Sequence, residues 1–145
     1  MTESGINQNK DIDFRNVFTA GLAAGLVGVL LNNFYSYLYT ALTGFALPEL
    51  IHVGTITLAS FFSCLFGSIA YFGLTKVTKH PRIAFMFIGG IVTLVSLAGP
   101  LTATMPDGSA VPDGFAGLTI PMHLISGISA IMIIPFFAHV RPRNI

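Results

Sequence analysis

Four histidines, His52, His80, His123 and His139, are spread along the chain, and only His123 lies well inside a long apolar run. An ionisable side chain at such a position is expensive, so it marks a functional site by default. Two further polar groups, Asn32 and Ser96, sit within other apolar runs, and His52 with Thr55 opens another. Imidazole, carboxamide and hydroxyl groups in apolar surroundings can fix the polar part of a small lipophilic or zwitterionic ligand. The expected ligand-binding set is therefore Asn32, Ser96, His123, His52 and Thr55. The structural alternative is an imidazole hydrogen-bonded to Asn32 or Ser96 that pins the helices together.

Other chemistries find less support. Axial haem ligation by His52 and His123 requires both rings at similar depth on facing helices, and no haem motif accompanies them. No cofactor is expected, with haem as the alternative. No carboxylate falls within an apolar run and no pair has metal-ligand spacing on one helix, so no metal site is expected. No nucleophile stands with an identifiable base, which points to a non-enzymatic protein. Cys64 is the sole cysteine, excluding an intramolecular disulfide and leaving a small packing residue. Pro106-Asp107-Gly108 and Pro112-Asp113-Gly114 read as turns, a two-aspartate cation site being the other reading.

The elements that must position these groups follow from where charge is absent. The chain is 53% hydrophobic and 9% charged over 145 residues, against about a quarter charged in soluble domains. No Asp, Glu, Lys or Arg occurs in Asn16 to Pro48, Leu50 to Thr75, Ile83 to Pro106 or Gly114 to Val140. Each run exceeds the roughly 20 residues that cross a bilayer as a helix. They lack the period-two alternation of a barrel strand, so helices are the way to satisfy their backbone in lipid. The first run is too long for a signal-peptide core, and its retention is expected.

Charge also orients the chain. Lys10 and Arg15 precede the first run, Lys76, Lys79 and Arg82 separate the second from the third, and Arg141 and Arg143 follow the fourth. The two remaining loops carry only acidic residues. By the positive-inside rule these seven are topology determinants, with both termini in the cytoplasm. They form no dense cluster, so neither a headgroup site nor nucleic-acid binding is expected. The fold class is thus all-α, a polytopic four-transmembrane-helix bundle, N-in/C-in. Residues 1–15 form a cytoplasmic tail, residues 16–140 the membrane domain with helices at about 16–42, 52–74, 83–100 and 118–140, and residues 141–145 a cytoplasmic end.

Spacing of three and four residues assigns a face to each helix. The first carries Gly21, Gly25, Gly28, Asn32, Ser36 and Tyr39; the second His52, Thr55, Ala59, Ser63, Gly67 and Ala70. The third carries Gly89, Thr93, Ser96 and Pro100, and the fourth Thr119, His123, Gly127 and Ala130. Small residues at such faces permit close helix approach, so these are expected packing seams. Phe34, Tyr35, Tyr37 and Tyr39 are expected at the outer headgroup level. At helical rise Asn32 lies about 24 Å from Asn16, Ser96 about 20 Å from Ile83 and His123 about 8 Å from Leu118. All three then fall in the outer half of the bilayer. Gly44-Phe45-Ala46 before Pro48 and His52 parallels Gly114-Phe115-Ala116 before Pro121 and His123, raising either coincidence or a pseudo-twofold repeat.

Asn32, His80-Pro81-Arg82 with Phe85, Ser96-Leu97-Ala98-Gly99-Pro100-Leu101 and Met122-His123-Leu124 occur in an order that resembles an uncharacterised bacterial family of small four-helix membrane proteins. The resemblance covers about Arg15 to Val140. It implies a multi-pass architecture and a bacterial cytoplasmic membrane, and transfers no activity. The expected function is a ligand- or partner-binding bundle in the lipid bilayer, with a homo-oligomer or a membrane-protein partner. The alternative is a haem-binding redox component or a small-molecule transport component acting as a homo-oligomer.

Overall fold

The structure, a computed structural model, describes residues 12–139. Lys10, Arg141, Arg143 and the expected terminal segments around them lie outside the described residues. Within that range the chain forms α1 (Phe14–Thr43), α2 (Val53–Val77), α3 (Pro81–Ser96), α4 (Ala98–Thr102) and α5 (Phe115–Ala138). Four stretches are long and apolar enough to cross a membrane: α1, α2, α3 with α4, and α5. The expected all-helical, four-span architecture is what the chain adopts.

Local chemistry sets the ends. The Asp13 carboxylate accepts the Arg15 N–H at 3.2 Å to start α1, and Gly44 stops it at φ +69° while its N–H reaches the Thr40 carbonyl. α1 has 30 residues, about 45 Å of helix, more than the roughly 30 Å hydrocarbon layer needs. His52 caps α2, its Nδ1 accepting from Gly54 N–H at 3.1 Å while its own N–H donates to Thr55 Oγ1 at 3.0 Å. Gly114 opens α5 at φ +92°. Gly44 therefore ends a helix where Gly114 begins one, and the two Gly-Phe-Ala segments are not structural repeats of one another.

The third expected helix, 83–100, is divided at Leu97. Pro100 has no N–H for the Ser96 carbonyl and its ring crowds that oxygen, so the ladder is disturbed one turn earlier. Leu97 N–H accordingly bonds the Leu94 carbonyl at 3.2 Å, a tighter turn. Pro121 creates the same deficit in α5, and there a neighbour repairs it. The Tyr35 hydroxyl donates to the Gly117 carbonyl at 2.8 Å, and Tyr39 donates to the Gly114 carbonyl at 2.9 Å. These two rings, expected in an aromatic belt, turn inward to tie α1 to the start of α5, while Phe34 and Tyr37 remain exposed. In the loop before α5, Asp107 accepts from the Ser109 N–H and hydroxyl at 2.9 and 2.6 Å. Those bonds hold its carboxyl below the usual range, which is turn chemistry.

α1 packs along both α2 and α5, whereas α3 approaches α2 and α5 but not α1. The α1 face is as expected: Gly21, Gly25, Gly28, Asn32 and Ser36 are all buried. Its partner on α2 is a different face from the expected one, built from Ser60, Cys64, Ser68 and Tyr71. Hydroxyls on these helices bond carbonyls of the preceding turn, as Ser60 does to Ile56 at 2.7 Å and Ser68 to Leu65 at 2.7 Å. Edge-on ring pairs Phe14–Phe72 and Tyr71–Phe85, each with centroids 5.1 Å apart, gather α1, α2 and the start of α3 at one end. Arg15, Lys76, Lys79 and Arg82 lie at this end; Glu49, Asp107 and Asp113 lie at the other.

A Cβ at Gly21 would lie 2.5 Å from Ser68 Cβ, whereas at Gly28 the nearest atom is Cys64 Sγ at 3.7 Å. Gly21→Ala should therefore cost about 1–3 kcal/mol, and Gly28→Ala should stay within about 0.5 kcal/mol. SDS-driven unfolding in mixed micelles measures both; equal effects would show that α1 and α2 are not in this register.

Candidate functional site

The expected seams of α3 and α5 meet, Thr93 on Gly127 and Ser96 on His123, whereas much of the α2 seam stands apart from α3. Thr55, Ala59, Ser63, Gly67 and Ala70 of α2 face Gly89, Thr93 and Ser96 of α3 across a cavity of about 800 Å³. Thr119, His123, Gly127 and Ala130 of α5 form its back wall, with Asn32 of α1 at its floor. This volume is within the range of small-molecule sites, about 300–1,000 Å³. No Asp, Glu, Lys or Arg is among the lining residues.

The cavity exists because α3 is held on α5. A Cβ at Gly89 would lie 3.0 Å from Ile131, and Gly127 lies directly under the Thr93 side chain. Two glycines thus let α3 sit close on α5, and α2 is held by α1 on the other side. Between them the α2 and α3 faces remain apart. Ala59, Ser63, Phe66 and Ala70 on α2, with Ile88 and Val92 on α3, line the cavity and are exposed. The opening is therefore lateral, toward the hydrocarbon phase that surrounds the helices.

Two polar groups reach this space from its inner walls. Asn32 is 2% exposed and donates both amide protons, to Ser60 Oγ and Ser126 Oγ, each at 2.8 Å. Ser60 gives its own proton to the Ile56 carbonyl, which fixes the amide orientation with nitrogen toward Ser60. Asn32 Oδ1 is left buried with no hydrogen-bond partner. Such an acceptor costs about 1–3 kcal/mol when unsatisfied. Asn33 Oδ1 and the Tyr71 hydroxyl are also buried without a partner, but neither residue lines the cavity.

His123 is half-buried, with Nδ1 3.1 Å from Ser96 Oγ. Ser96 donates its proton to the Thr93 carbonyl at 2.7 Å, so it can only accept from the imidazole. The network therefore assigns the neutral ring a proton on Nδ1 and leaves Nε2 as an acceptor. His123 and Asn32 thus belong to separate hydrogen-bonded groups that open onto one cavity.

Of the other expected site residues, Thr55 lines the cavity, but its hydroxyl serves the α2 cap and donates to the Leu50 and His52 carbonyls. His52 is exposed and outside the lining, its Nδ1 engaged in the same cap. His52 and His123 therefore stand in different surroundings, one at a helix cap and one beside Ser96. Ser60 and Ser126 are the polar residues that sequence reasoning missed. Ser126 follows His123 by one helical turn, a spacing that marks it only once a cavity is known to lie on that face.

Residues 12–141 match the model of a family of unknown function (DUF6069). The chain belongs to that family. Neither curated proteins nor solved structures give a match. The matched span takes in every described helix of this DUF6069 chain, including the residues of both hydrogen-bonded groups. The expectation of an unknown-function family with four helices of membrane-spanning length is borne out. DUF6069 membership carries no activity, so function rests on the cavity itself.

Proposed function

We propose that this DUF6069 protein is a non-enzymatic, membrane-embedded binding protein whose cavity between α2, α3 and α5 holds a small lipophilic ligand. The observation that carries this reading is a laterally open cavity of about 800 Å³ whose lining is largely apolar and carries no charged side chain. His123, half-buried in the lining, offers a ligand a polar contact through Nε2.

The termini and the α2–α3 loop are placed on the cytoplasmic side. The support is the separation of charge between the two ends of the bundle, with Arg15, Lys76, Lys79 and Arg82 together at one end.

Native mass spectra of the protein released from mild detergent should show a reproducible non-covalent mass on each subunit. Ser63→Phe, which fills the cavity from an exposed position, should remove that mass without unfolding the bundle. Bare wild-type subunits after gentle extraction would contradict the reading. Orientation is tested with single cysteines introduced into a Cys64→Ala background. A membrane-impermeant maleimide added to intact cells should label Asp113→Cys and not Lys79→Cys; the reverse pattern would invert the topology.

A further inference from the structure

A second groove lies between the start of α3 and the end of α5, on the outer surface of the bundle. Arg82 and Met86 of α3 line it with Met132, Phe136 and Phe137 of α5, and all five are exposed. Ile131, which packs on Gly89, also lines it and is the one residue it shares with the α2–α3 cavity. From Phe137 back to Ile131 the α5 wall spans about 9 Å at helical rise. Arg82 is the second residue of α3, so the groove starts at a helix end and runs from there into the apolar part of the span.

The sequence holds no dense basic cluster; the fold instead sets one arginine at the end of an apolar groove. Arginine keeps its charge, and beside a membrane its stem lies on apolar surface while the guanidinium reaches the headgroup level. No described carboxylate meets Arg82. Glu49, Asp107 and Asp113 lie at the opposite end, α3 and α5 contain no Asp or Glu, and Asp13 starts α1, which α3 does not approach. Lys76 and Lys79 add positive charge at the same end. The complement of this end is therefore an anion.

The complement of the walls is hydrocarbon. Met86 and Met132 are adaptable apolar side chains, and the Phe136 and Phe137 rings stand edge-on with centroids 5.3 Å apart. A free phosphate would answer the charge and leave these walls uncovered. A zwitterionic headgroup would bring a cation of its own, with no carboxylate on either helix to receive it. An anionic amphiphile meets both requirements at the depth where each occurs, as basic pockets between membrane helices do with anionic headgroups.

We propose that this groove binds one anionic phospholipid of the surrounding leaflet, its phosphate paired with Arg82 and the upper part of an acyl chain lying against Met86, Met132 and Phe136. The site is separate from the α2–α3 cavity and stands whether or not that cavity holds a ligand.

The chain contains no tryptophan, so Phe136→Trp in the full chain gives a single fluorescent reporter in the groove. Phe34→Trp gives one on the exposed surface of α1, far along the helix from Arg15. Both are reconstituted in vesicles of phosphatidylglycerol and phosphatidylcholine in equal amounts with matched chains, one lipid at a time carrying brominated chains, so that quenching reads which lipid lies against the ring. The Phe136→Trp reporter should favour phosphatidylglycerol about fivefold, and the Phe34→Trp reporter should show no preference. Adding Arg82→Gln should bring the groove ratio to about one; should that variant fail to fold, Arg82→Met removes the same charge and keeps an apolar stem. Equal quenching by the two lipids in the groove would overturn the proposal. A preference that survives the loss of Arg82 would belong to the basic end as a whole and would overturn the site at Arg82. Quenching by neither lipid would show that protein, a second copy or a partner, covers the groove, and would overturn the lipid as its occupant.

Discussion

In a hydrocarbon layer a polar group has no water to fall back on, and this bundle satisfies most of them from within. Serine and threonine hydroxyls bond the turn below them. Where proline removes a donor the two spans respond differently: the Gly117 carbonyl above Pro121 receives the Tyr35 hydroxyl, while above Pro100 the helix itself tightens at Leu97. The Asn32 amide protons are met by Ser60 and Ser126. Against that background, Asn32 Oδ1, Asn33 Oδ1 and the Tyr71 hydroxyl are the buried side-chain exceptions among the described residues.

The cavity follows from how small residues are shared out. α1 uses Gly21, Gly25 and Gly28 to come close to α2, and α5 uses Gly127 to accept Thr93 of α3. Each glycine brings one pair of helices together, and together they commit α2 to α1 and α3 to α5. α2 therefore presents two small-residue faces, one buried against α1 and one open toward α3. α3 meets α2 at the basic end, where Tyr71 stacks edge-on with Phe85.

The number of spans was legible because charge is absent from four long runs, a signal that needs no tertiary information. The α1 seam was legible too, since glycines at helical spacing have few other uses in lipid. The faces of α2, α3 and α5 were identified correctly as small and polar, yet their meaning was not. Periodicity shows that Ala59, Ser63 and Gly67 share a side, but whether that side meets a helix or a space depends on where the other helices go. Ser60 escaped notice because its hydroxyl matters only through Asn32, twenty-eight residues away. His52 illustrates the reverse: a histidine near an apolar run reads as a ligand until its Nδ1 is seen capping α2. Pro100 was expected to close the third helix, and the ladder at Leu97 shows that it disturbs the helix one turn earlier.

The central claim is that α2 and α3 stand apart and that the space between them is used. A structure determined in lipid nanodiscs tests this most directly. The account predicts separated α2 and α3 faces along Ala59, Ser63 and Ala70, with density for a bound molecule between them. α3 packed directly onto that face of α2, with those three residues buried, would contradict it.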